Sequence, residues 1–139
     1  MERLTHSNPE VKDPAGHLKI AAGNFDVSAK FYKALFEDLK YALISDKPTG
    51  AAWVTPGGFG IWIAQAEVPD HVHIHSSPGL HHLCLKAETA EQVDAIHARL
   101  AEENAHIFAD PQHYPQYTPD YYALFFADPD GIKLEVAYY

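Results

Sequence analysis

The chain of 139 residues writes one pattern twice, and an internal repeat restricts a fold more than any single motif does. In the first copy His17, Leu18, Lys19, Ile20, Ala21 and Ala22 alternate as a short strand and stop at Gly23. Asp26 is placed to cap a helix over 27–38, where Phe31, Ala34, Leu35 and Leu39 recur at helical spacing. Extended runs follow at 41–45 and 51–55, and Pro56-Gly57-Gly58 turns the chain into a further strand, 59–65.

The second copy keeps this order. His82, Leu83, Cys84, Leu85, Lys86 and Ala87 alternate, and Thr89-Ala90-Glu91-Gln92 has the form of a capping box. The helix it opens carries Val93, Ile96, Leu100 and Ala101 on one stripe. A strand at 106–109, a loop at 110–120, and strands at 121–127 and 132–137 complete the copy. Asp128-Pro129-Asp130-Gly131 joins the last two strands, its Gly free to take a positive φ. Each copy therefore reads strand–helix–strand–strand–strand. Four strands and one helix cover a single sheet face, so two such units must pack together. The expected fold is α+β, with paired βαββ-type modules lining one open, barrel-like cleft. Residues 1–16 read as an N-terminal arm, 17–65 as module one, 66–79 as a linker with two prolines, and 80–139 as module two.

Composition narrows the function classes. Ten Lys and Arg against nineteen Asp and Glu leave a net charge of −9, which argues against nucleic acid and against an anionic membrane surface. The single cysteine, Cys84, excludes an internal disulfide framework and a Cys-rich zinc site. No apolar run approaches the ~18 residues of a membrane span. The first sixteen residues lack the apolar stretch of a signal peptide, so a cytoplasmic location is expected. The ten histidines are the compositional oddity.

Two of them hold equivalent places. His17 and His82 both head the first strand of their module. Strand parity sends Leu18, Ile20, Ala22, Leu83, Leu85 and Ala87 toward the helices, and His17 and His82 the other way. In the last strand Ile132, Leu134 and Val136 are the apolar face, so Glu135 points with Lys133 and Ala137 into the space the histidines face. Two imidazoles and a carboxylate meeting in a cleft form a site for one divalent cation with open positions.

The His-led strands GHLKIAA and LHHLCLKA and the ending YYALFFADPDGIKLEVAYY resemble the vicinal oxygen chelate superfamily over residues 16–139. That superfamily includes glyoxalase I, fosfomycin-resistance enzymes, extradiol dioxygenases, methylmalonyl-CoA epimerase and bleomycin-resistance proteins. The resemblance implies a metal bound in a U-shaped barrel and met by two oxygens of a small-molecule substrate. It maps the ligand positions onto His17, His82 and Glu135, and it implies a homodimer. Glyoxalase I-like members place a Glu near the end of the first module, where this chain reads Gly60-Ile61-Trp62-Ile63-Ala64-Gln65. With Ile61 and Ile63 apolar, Trp62 and Ala64 face the cleft, and Gln65 becomes a fourth ligand only through a bulge. A two-His, one-carboxylate set suits Fe and is compatible with Zn, Mn or Ni. Extradiol dioxygenases carry a pocket Tyr where this chain has Phe125, with Tyr121 and Tyr122 close by in sequence.

The 110–120 loop, with three prolines, has the length of a lid. His113, Tyr114 or Tyr117 would supply a general acid or base, and Tyr121 another hydroxyl. His81 is read as a packing neighbour of His82, and His71, His73 and His75 as solvated linker residues. The sequence thus supports two functions: a lyase, isomerase or dioxygenase using one divalent metal, or a metal-free drug-sequestering protein of the bleomycin-resistance type.

Overall fold

In a computed structural model, residues 13–139 are described. Residues 1–12 of the expected N-terminal arm lie outside them. Strand β1 spans His17–Ala22 and is followed by helix α1, Phe25–Asp38. The helix starts earlier than Asp26 would dictate. Asn24 is the cap, in an extended conformation, and its side-chain oxygen accepts the N–H of Val27 at 3.2 Å. Strands β2 (Ala42–Lys47), β3 (Gly50–Val54) and β4 (Gly60–Gln65) complete one four-stranded sheet in the order β1-β4-β3-β2. The second sheet has the same order, β5-β8-β7-β6, built from β5 (Leu83–Lys86), β6 (Ile107–His113), β7 (Tyr122–Ala127) and β8 (Lys133–Tyr138). Helix α2, Ala90–Glu102, separates β5 from β6.

Thr89 caps α2 as expected, accepting the N–H of Gln92 at 3.1 Å. Gln92 does not close the box onto Thr89. Its Oε1 accepts from the N–H of Glu88, and its Nε2 donates to the carbonyl of Asp38, at 2.6 Å, in the first module. The capping residue therefore also ties the two helices together, beside the Arg99–Asp38 ion pair at 2.6 Å.

The expected loop at 110–120 begins later, because β6 runs through to His113. Pro111 is tolerated there for two reasons. β6 is the edge strand of its sheet, and the register jumps from Ala109↔Phe125 to Gln112↔Ala123, leaving Asp110 and Pro111 in a bulge opposite Leu124.

The helix-side faces of both sheets bury one apolar cluster. Ile20, Leu35, Phe36, Ile61 and Ile63 from the first module are contiguous with Leu85, Ile96, Leu124, Phe126 and Leu134 from the second. Within it the turn at 128–131 is pinned to the first module. Tyr32 donates its hydroxyl to Asp128 Oδ2 at 2.6 Å, while Asp128 Oδ1 accepts the N–H groups of Asp130 and Ile132. Gly23 has no room for a side chain here: a Cβ would sit 2.7 Å from Asp130 Oδ1 and 2.9 Å from the Pro69 carbonyl oxygen. With their helix-side faces covered, the opposite faces carry the polar residues of interest. The two sheets are separate and do not close into a barrel.

Candidate functional site

Register shows which side chains share a face. In the second sheet Cys84 pairs with Glu135 across β5 and β8, and Phe125 pairs with Glu135 across β7 and β8. His82 precedes Leu83, the partner of Leu134, so it stands beside Lys133 on the face of Cys84 and Glu135. Tyr121 shares the parity of Phe125. One face therefore gathers His82, Cys84, Tyr121, Phe125, Lys133 and Glu135.

Glu135 is the centre of this group. It is only 3% exposed. Its Oε2 accepts a 2.6 Å hydrogen bond from the Tyr121 hydroxyl, and its Oε1 lies 3.6 Å from Nε2 of His82. Burial, then the hydrogen bond to Glu135, pushes the Tyr121 phenol far above its usual range, so it stays a donor. Burial and the Glu135 charge likewise push the Cys84 thiol up to about 12, which makes it a poor nucleophile. The other nitrogen of His82 is occupied as well: Nδ1 of His81 and Nδ1 of His82 are 2.7 Å apart. When His82 donates in that bond, its Nε2 lone pair is left facing Glu135.

Aromatic rings wall the site. Tyr121 stacks on Tyr139 at 4.6 Å and meets Tyr117 edge-on at 5.2 Å. Tyr114 stacks on Tyr117 at 5.6 Å and meets Phe125 edge-on at 5.8 Å. Lys86 sits over Tyr139 at 4.0 Å from the ring centre.

The predicted residues separate into two groups. His82, Glu135, Tyr117 and Tyr121 come together. His113 does not: it pairs with Tyr122, whose hydroxyl binds Asp94 of α2, so both lie on the helix side of the sheet. Gln65 is also turned away. It pairs with Ala22, and its amide accepts the N–H of Phe25 while donating to the carbonyls of Gly23 and Ala66. Gln65 thus organises the entry to α1, and no bulge in β4 brings it round. His17 heads β1 on the other sheet, exposed, beside Gly60. Among the described residues no third His, Cys, Asp or Glu joins His82 and Glu135 at metal-binding distance.

Of this group, Cys84 lines a cavity of about 370 Å³ together with Tyr41, Leu85 and Lys86. A larger cavity, about 680 Å³, lies between α1 and the α2–β6 connection, lined by Phe31, His106 and Pro129.

Comparison with known proteins adds to this geometry. The sequence model of the Glyoxalase/Bleomycin resistance protein/Dioxygenase superfamily matches residues 15–136. The chain belongs to that superfamily. It is 26% identical over 122 residues to the uncharacterized protein YqjT of Bacillus subtilis (strain 168), covering 86% of this chain and 94% of that one. Among solved structures it is similar to a glyoxylase/bleomycin resistance protein/dioxygenase domain from Frankia sp. EAN1pec, with 25% identity, TM-score 0.67, and 91% and 95% of the two chains covered. It also superposes on a glyoxalase/bleomycin resistance protein from Albidiferax ferrireducens T118, with 22% identity, TM-score 0.72, and coverage of 89% and 97%.

Register also shows what stands at matching places in the two modules. Glu135 pairs with the residue two after His82, and Trp62 pairs with Lys19, the residue two after His17. Trp62 therefore stands in module one where Glu135 stands in module two. Strand parity expects Trp62 on the open face and brings Gln65 there only through a bulge, and β4 has none.

Proposed function

We propose that the chain is a metal-dependent enzyme acting on a small molecule that presents two oxygens to one divalent cation, with His82 and Glu135 as ligands. The buried carboxylate carries this reading. Glu135 is 3% exposed and, among the described residues, makes no ion pair with Lys or Arg. A buried anion needs a compensating positive charge. Two donors each about 2.0–2.2 Å from a shared ion stand 3–4 Å apart, which the 3.6 Å separation satisfies. His81 and Tyr121 supply the outer hydrogen bonds that orient such ligands. These residues fit a divalent ion such as Fe, Mn, Zn or Ni.

When bound, the ion supplies Lewis-acid polarisation of a substrate oxygen. The protein does the rest. His81 fixes the ring of His82, Tyr121 holds Oε2 of Glu135, and the Tyr114, Tyr117, Tyr139 and Phe125 rings shield the site from water. The Tyr121 phenol stays protonated, and its single O–H is committed to Glu135. The third ligand is His17. Because it stands on the other sheet, we assign it to a homodimer in which His17 of a second copy meets His82 and Glu135. The acidic charge and single cysteine support a cytoplasmic location as part of this reading.

Metal content of the purified protein after incubation with Fe(II), Mn(II), Zn(II) or Ni(II) tests the reading. About one equivalent per chain supports it, and less than about a tenth sinks it, since three ligands bind tightly. Mixing His17→Ala and His82→Ala chains checks the shared site. Hybrid dimers regain one of their two sites if the ligands come from different copies, and none if both come from one. A second reading, metal-free sequestration of a planar drug, is favoured by the Tyr114, Tyr117, Tyr121 and Tyr139 wall; ligand binding unaffected by metal removal would select it.

A further inference from the structure

Lys133 lies on β8 two residues before Glu135, on the same face, beside His82. A lysine at a sheet rim ordinarily extends its ammonium into water. This one folds back across the sheet and is half-buried: Nζ lies 5.1 Å from the ring centre of Phe125 on β7 and 5.4 Å from that of Phe108 on β6. Among the described residues it has no carboxylate within 4 Å.

The rings around it continue the pattern. Phe125 touches His82 at 5.8 Å, Phe108 touches His75 at 5.2 Å and His106 at 4.6 Å, and His75 touches His81 at 5.3 Å. The acidic neighbour of this cluster is Glu135, which lies 3.6 Å from His82 and makes no ion pair with Lys133. Burial first and the charge of Lys133 next lower the pKa of the His75 imidazole, so the ammonium's field falls within the cluster. Among the described lysines only Lys40 has a carboxylate within 4 Å, so what distinguishes Lys133 is its half-buried place on two rings beside His82 and Glu135. The scaffold does not require this lysine. The corresponding place in module one, beside His17, is Gly60.

We propose that Lys133 is an oxyanion-binding residue that receives a carboxylate- or phosphate-type group of the substrate next to the His82–Glu135 pair. This rests on the metal reading only for the place of the chelating oxygens. Aromatic faces hold the ammonium without neutralising it, leaving its N–H donors for an anion. The enzyme's substrates are then small organic acids whose charged group docks on Lys133 while their two oxygens face Glu135.

Two vicinal diols that differ by one carboxylate, 3,4-dihydroxybenzoate and catechol, serve as probes for calorimetry on the Zn(II)-loaded protein. The wild type should bind the carboxylated probe about 10-fold more tightly, the size of one charge-assisted hydrogen bond. Lys133→Gln should bind the two equally with catechol affinity unchanged, and Lys133→Arg should retain most of the preference. No preference in the wild type, or a preference that survives in Lys133→Gln, overturns the proposal. Zinc content measured on the same samples keeps the two readings apart. If zinc does not bind, the metal reading fails, and the anion site is judged on benzoate against benzyl alcohol with metal-stripped protein. There a benzoate preference lost in Lys133→Gln upholds it, and any other result overturns it.

Discussion

The two sheets share strand order and strand directions, yet their exposed faces differ in chemistry. At matching register points the second face carries Lys133, Glu135 and Phe125 where the first carries Gly60, Trp62 and Ala52. Common to both are the strand-heading histidine and the alanine two residues beyond Trp62 or Glu135, Ala64 and Ala137. The helix-side faces, by contrast, are equivalent, with Ile61 and Ile63 buried on one and Leu134 and Val136 on the other. The repeat therefore preserves what packs and varies what faces a ligand. Packing constrains every residue on a buried face. The open face is free to specialise, and here one copy presents an acid where the other presents an indole.

If the buried faces are equivalent, Ile61→Ala and Leu134→Ala should each cost about 2–5 kcal/mol in denaturant unfolding, because both side chains are fully buried. A loss confined to one of them would show that the modules do not share one core. If the open faces differ as described, Glu135→Gln should lower metal affinity by about 100-fold or more, exceeding the effect of an outer partner. Trp62→Phe, at the matching point, should leave it unchanged by equilibrium dialysis. Trp62→Glu sharpens the contrast further, since it should raise affinity if the first face approaches the same ion.

Tyr121→Phe removes the donor to Glu135 and should weaken metal binding by about 10-fold while the fold persists by circular dichroism. An unchanged affinity would mean that the hydrogen bond orients nothing. The smallest effect concerns the β7–β8 turn, which is pinned to the first module by Tyr32. Burial raises the carboxyl pKa of Asp128 above 3.8, outweighing its hydrogen bond from Tyr32. A raised folded-state pKa contributes stability that is full below 3.8 and is lost as pH rises through the folded value. Asp128→Asn should remove this downward slope from a series of unfolding measurements starting near pH 3.5. A slope unchanged in the variant would assign it to another group.

Much of this was legible from residue order. The alternation at 17–22 and 82–87, the Thr89 cap and the DPDG turn are local signals, and the elements they predict are present, with strand ends displaced by a few residues. Parity correctly separated Glu135 from Leu134 and Val136, because a strand's two faces are decided by neighbours in sequence. The misplacements share a physical cause. Asp26 and Asn24 are both competent caps, and the choice fell to the backbone after Gly23. Pro111 read as the start of a loop, but an edge strand with a bulge absorbs it. His113 was placed by its position in the expected loop and Gln65 by a bulge that β4 lacks, and the pairing of His113 with Tyr122, and of Gln65 with Ala22, sends both to the helix side.

By itself, then, the sequence determined the doubled module, the identity of each buried face and the side on which the histidines and Glu135 lie. All follow from periodicity, which is local. The tertiary structure decided which of these residues meet. It joined His82 to Glu135 and Tyr121, set His17 apart on the other sheet, tied Gln65 into the entry to α1, and turned Lys133 onto two phenylalanine rings. Those outcomes depend on register between strands distant in sequence, and register is fixed by packing of the whole sheet.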